Sequence, residues 1–110
     1  MNMSREIRRS FGGKARLLAP TDQAALDVDC KIEISGVLVD TPTPDGHNRR
    51  QDWRKAKGTV VLGSEAPAPL DPAVDYLLVL EGQLECRVRA RRRQKSHTYD
   101  VEGAVTKPPA

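Results

Sequence analysis

The sequence predicts a small, mostly β fold: an antiparallel barrel or sandwich of about six short strands, with at most one or two short helices. Three observations carry this expectation. Apolar and polar residues alternate with a period of two in several stretches, which is the mark of a strand with one face buried. Eight glycines and eight prolines punctuate 110 residues, so runs long enough for a stable helix are scarce. Regular alternation of strand and helix patterns is missing, which argues against a parallel α/β sheet. A chain of this length buries one modest core. The reading is therefore a single β domain over residues 14–104, preceded by a flexible basic arm at 1–13 and followed by a frayed tail at 105–110.

Taken in order, residues 1–13 read as a loose arm or a short helix, with Ile7 and Phe11 four apart on one face and Gly12-Gly13 as its stop. Lys14 to Leu18 fits a first short strand. Ala19 to Ala25 is a turn region opened by Pro20, with room for a helical turn capped by Thr21. Leu26 to Val39 is the clearest strand: Val28, Cys30, Ile32 and Ile34 point one way and Asp29, Lys31, Glu33 and Ser35 the other. Gly36 marks a bulge or kink within it. Asp40 to Lys57 has no clear periodicity and reads as a long polar loop with an Asp45-Gly46 turn. Long loops in compact domains are often functional. Gly58 to Leu62 is a strand, and Gly63 to Pro72 is a proline-rich loop. Tyr76 to Leu80 and Leu84 to Ala90 flank Glu81-Gly82-Gln83 as a β-hairpin. His97 to Val101 is a last strand, ending at Glu102-Gly103.

The formal net charge is +3 and the pI is near 9.1, which allows an anionic partner without demanding one. The distribution is more informative. Nearly all Lys and Arg fall in three groups: Arg5, Arg8, Arg9, Lys14 and Arg16; Arg49, Arg50, Arg54, Lys55 and Lys57; and Arg87, Arg89, Arg91, Arg92, Arg93 and Lys95. In the third group Arg87, Arg89 and Arg91 alternate with core positions, which sets three guanidiniums on one exposed face about 6.6 Å apart. That is near the spacing of successive phosphates, and each fork can grip phosphate oxygens. The same row can instead be a solvated face paired with carboxylates across strands, or a charged edge that resists aggregation. The second group surrounds Trp53. Cations around an indole suit single-stranded nucleic acid, where a base stacks on the ring. With so few other aromatics, the competing role for Trp53 is a cap that folds its segment onto the end of the barrel.

The remaining candidates for chemistry are sparse. His47 and His97 have no partner at metal-ligand spacing. A site built from His47, Asp45 and Asp52 would be unspecific, and His97 and Asp100 fall on opposite faces of a strand. No phosphate loop, dinucleotide fingerprint, nucleophile elbow or metalloprotease helix is present. No cofactor, metal or catalytic group is therefore assigned. Cys30 and Cys86 are too few for a disulfide scaffold and read as buried free thiols. No apolar stretch approaches the ~20 residues of a membrane span, and the polar N-terminus does not read as a secretory signal, so a cytoplasmic setting is expected. The Arg- and Ala-rich, Lys-poor composition points to a GC-rich bacterial or phage source.

Two functions compete at this point. One is a non-enzymatic binding module whose basic face takes nucleic acid or another polyanion through Arg49, Arg50, Trp53, Arg54, Lys55, Lys57, Arg87, Arg89, Arg91, Arg92 and Arg93. The other is a protein-interaction or structural subunit of a bacterial or phage assembly, partnering another protein or its own copies. A small enzyme using the 40–57 segment ranks third.

Overall fold

The structure is a computed structural model that describes residues 3–20, 25–63, 69–94 and 96–109. Six strands appear in order: β1 (Met3–Leu18), β2 (Ala25–Thr43), β3 (Gly46–Leu62), β4 (Tyr76–Leu80), β5 (Leu84–Arg92) and β6 (Thr98–Lys107). They close into an antiparallel barrel in the spatial order β1-β2-β3-β6-β5-β4. Among the described residues there is no helix. The mostly β expectation holds, in its barrel form.

Alternation builds the core as the sequence predicts. Val28, Cys30, Ile32 and Ile34 of β2 are buried while Asp27, Asp29 and Lys31 between them are exposed. Tyr76, Leu78 and Leu80 of β4 and Leu84, Cys86, Val88 and Ala90 of β5 line the same interior. The interior is apolar throughout the described residues, with no buried charged side chain. A six-stranded barrel is narrow enough for such side chains to fill it. Two inward-facing glycines shape its corners. A Cβ on Gly58 would overlap the Lys31 carbonyl, and one on Gly103 would overlap the Arg87 carbonyl, so the strands fold more tightly there than a side chain permits. Above the core, Tyr99 and Tyr76 pin the incoming segment. Their hydroxyls accept hydrogen bonds from the backbone N–H of Leu70 (3.2 Å) and Asp71 (2.8 Å).

Two sequence expectations are corrected. Asp40 to Lys57 is not a loop: β2 runs on to Thr43, turns through Pro44-Asp45 and returns as β3 from Gly46. From Met3 onward the N-terminal segment is neither helix nor loose arm; it pairs with β2 along its whole length, from Met3↔Asp40 to Leu18↔Ala25. Gly13 does not stop the element. Its φ of 125° is a conformation that glycine adopts freely and other residues rarely do, so the strand kinks and continues. The last strand also extends beyond Gly103 to Lys107. The helical turn expected at Thr21–Ala24 lies outside the described residues.

These corrections change the shape of the molecule. β1 meets β4 only at Arg16–Leu18, and β3 meets β6 only from Lys55 to Val61. The outer parts of β1, β2 and β3 therefore leave the barrel as a three-stranded arm. The molecule measures 57 × 26 × 23 Å with a radius of gyration of 16.3 Å, against about 13 Å for a compact domain of this length. The bulge expected at Gly36 sits at the root of the arm, where the register shifts between Ser35 and Gly36.

Candidate functional site on the barrel wall and arm

The register decides which basic residues meet. On the outside of the barrel, Lys57 of β3 stands opposite Glu102 of β6, which stands opposite Arg89 of β5; one step along, Thr59, Asp100 and Arg91 form the next row. Lys55, Ala104 and Arg87 form the row on the other side. Arg87, Arg89 and Arg91 are all exposed, in the single outward row that alternation predicts. The second and third basic groups therefore converge on one wall, but only through Lys55 and Lys57.

That wall carries an open cleft of about 1120 Å³. Its rim is made of outward side chains from β1, β2, β3, β6 and β5. Ile32, Gly58, Ala90 and Val101, which alternate with those outward positions, also line it, together with Phe11, Leu70 and Pro72. Six cations line it (Lys31, Lys57, Arg89, Arg91, Arg92 and Arg93) against three carboxylates, Glu33, Asp100 and Glu102, so its charge is positive but mixed. Arg93 is closed by Asp100 at 2.8 Å; the hydrogen bond and the charge of that carboxylate hold the guanidinium's pKa above its ordinary value. Arg89 is closed by Asp75 at 3.0 Å, and Arg92 donates to the Ser96 carbonyl. Lys31, Lys57 and Arg91 have no ion-pair partner among the described residues.

The rest of the second group lies on the arm. Opposed residues of an antiparallel sheet share a face. One face carries Arg5, Ile7 and Arg9 of β1, Gly36, Leu38 and Asp40 of β2, and Arg49, Gln51 and Trp53 of β3. The other carries Glu6 and Arg8, Val37 and Val39, and Arg50 and Asp52, with Arg54 as the residue left over at the bulge. Arg5, Arg8 and Arg9 of the first basic group thus share the arm with Arg49, Arg50 and Arg54, with β2 between them. Trp53 is half-buried and packs against the core, so it caps the barrel end, and its indole N–H finds no acceptor among the described residues. At the tip His47 Nδ1 lies 3.1 Å from Asp40, not beside Asp45 or Asp52, and Arg49 Nε lies 3.5 Å from the other Asp40 oxygen.

Cys30 and Cys86 are free and buried. Burial, and then the charge of Asp29, raises the Cys30 pKa; burial, and then Cys30 itself, pushes Cys86 up to about 11. Both thiols are therefore poor nucleophiles at neutral pH. No group of three His, Cys, Asp or Glu among the described residues is placed to hold a metal ion. Among the described residues no helix is long and apolar enough to cross a membrane. Comparison with protein-family models, curated proteins and solved structures gives no match.

Proposed function

We propose that this protein is a small non-enzymatic binding module that holds nucleic acid or another polyanion on its outer barrel wall. The observation that supports this reading is the convergence of Lys57 with the Arg89–Arg93 segment on one cleft, where Lys31, Lys57 and Arg91 make no ion pair among the described residues. A phosphate chain laid across that wall would supply the missing anions, and the arginine forks suit its oxygens. Lys55 and Arg87 extend the track by one row. Arg49, Arg50, Trp53 and Arg54 stand on the arm and are not needed for it. A cytoplasmic setting suits two buried free thiols, and the composition suits a bacterial or phage source.

Fluorescence anisotropy with labelled single- and double-stranded oligonucleotides at several salt concentrations tests the proposal. Engagement of about four cations gives a slope of log K against log salt near −3 for a single strand. Absence of binding at low salt would overturn it.

A further inference from the structure

The arm has two outer edges, and they differ. Along β3 two of the three arm arginines are closed within the chain, Arg54 by Asp52 at 2.9 Å and Arg49 by Asp40 at 3.5 Å, while Arg50 makes no ion pair among the described residues. Along β1 the edge from Met3 to Ala15 makes no ladder pair on its second side among the described residues. Its two faces also differ. Arg8, on one, is tied to Glu6 at 3.0 Å and Glu33 at 4.0 Å. Arg5 and Arg9, on the other, have no carboxylate partner among the described residues. Ile7 lies between them, and Arg9 is held over the Phe11 ring at 4.9 Å. An open edge thus presents cation, apolar group, cation at alternate positions.

We infer that the β1 edge over Ser4–Ser10 is a docking site for an acidic extended segment of a partner protein, which adds to the arm as a fourth, antiparallel strand. Main-chain hydrogen bonds to the free edge supply affinity, and side chains at alternate positions supply specificity. The strand it selects carries an acidic residue, an apolar residue and an acidic residue opposite Arg5, Ile7 and Arg9, since directly opposed side chains pair on one face of a sheet. Its other face is neutral and polar, because Arg8 is already satisfied. A second copy of this chain is a poor occupant of this face: antiparallel pairing of two β1 strands about Ile7 brings Arg5 against Arg9. The same charges that discourage self-association therefore choose the partner. This site stands apart from the barrel cleft, and either can fail alone.

The test uses the full chain and a nine-residue probe peptide that alternates Glu, Val and Glu on one face with Thr on the other, at 50 mM salt. Binding is read by anisotropy of the labelled peptide and by backbone amide hydrogen exchange. The expected result is slowed exchange at those amides of Ser4–Ser10 that point away from β2, with β3 unchanged. Arg5→Glu with Arg9→Glu weakens binding at least tenfold, and a peptide with Lys in place of Glu then binds this variant. Arg49→Glu with Arg50→Glu leaves the Glu peptide's binding within twofold. No binding, protection along Gly46–Trp53 instead, or protection of β1 by an oligonucleotide and not by the peptide would each overturn the proposal.

Discussion

β2 passes through two environments in nineteen residues, and the difference between them organises the molecule. In the barrel Ile34 is 0% exposed and sits in a ring of strands that bury one face completely. Four residues later Leu38 is only half-buried, in a three-stranded sheet with water on both sides. Hydrogen-bond ladders run through both regions, broken only by the bulge at Gly36, so pairing alone does not separate them. What separates them is the closed interior, where burial of apolar area stabilises the strands. The barrel carries the stability, and the arm extends outward as a largely two-dimensional surface.

Substitutions along this strand sharpen the comparison. Ile34→Ala removes a fully buried side chain and is expected to cost about 2–5 kcal/mol by chemical denaturation. Gly58→Ala forces a methyl group against the Lys31 carbonyl and is expected to cost about 1–3 kcal/mol, as overpacked cores do. Raising the pH acts on the barrel through its buried thiols. The Cys86 pKa lies above its ordinary value, near 11, so the folded chain holds its proton where the unfolded chain has lost it. Stability present below pH 9 is therefore lost as the pH rises from about 9 to 11, by roughly 3 kcal/mol. Cys86→Ala should flatten that decline in thermal melts. Leu38→Ala on the arm is expected to cost no more than about 1 kcal/mol, although Leu→Ala removes as many carbon atoms as Ile→Ala does. A cost at Leu38 equal to that at Ile34 would break the distinction between the two regions.

The same distinction explains what was legible in the sequence. Strands that bury one face write a two-residue alternation into the chain, and β4, β5 and the barrel part of β2 are read directly from it. The arm buries no face fully, so His47 to Lys55 needs no alternation and carries none; only the Asp45-Gly46 turn marks the reversal. Gly12-Gly13 suggested a stop because glycine ends helices, whereas a strand uses the same freedom at Gly13 to kink. For the site, the Arg87, Arg89 and Arg91 row was visible because it follows from alternation within one strand. Its meeting with Lys57 was not, because it depends on β6 lying between β3 and β5, and strand order leaves no local trace. The placement of the N-terminal arginines on one arm with those of β3, across β2, was hidden for the same reason. The hydrogen bonds from Leu70 to Tyr99 and from Asp71 to Tyr76 join residues whose proximity only the closed barrel creates.

The most direct test of the wall as a polyanion site compares two charge-neutralising pairs in one salt series. Lys57→Gln with Arg91→Gln removes from the cleft two cations that make no ion pair among the described residues, and Arg50→Gln with Arg54→Gln removes two cations from the arm, Arg54 being paired with Asp52. With a labelled single-stranded oligonucleotide, the wall pair should lower the salt slope by about 1.4 and weaken binding, since each phosphate contact contributes about 0.7. The arm pair should leave the slope unchanged. An unchanged slope for the wall pair, with loss in the arm pair, would contradict the assignment and move the polyanion to the arm.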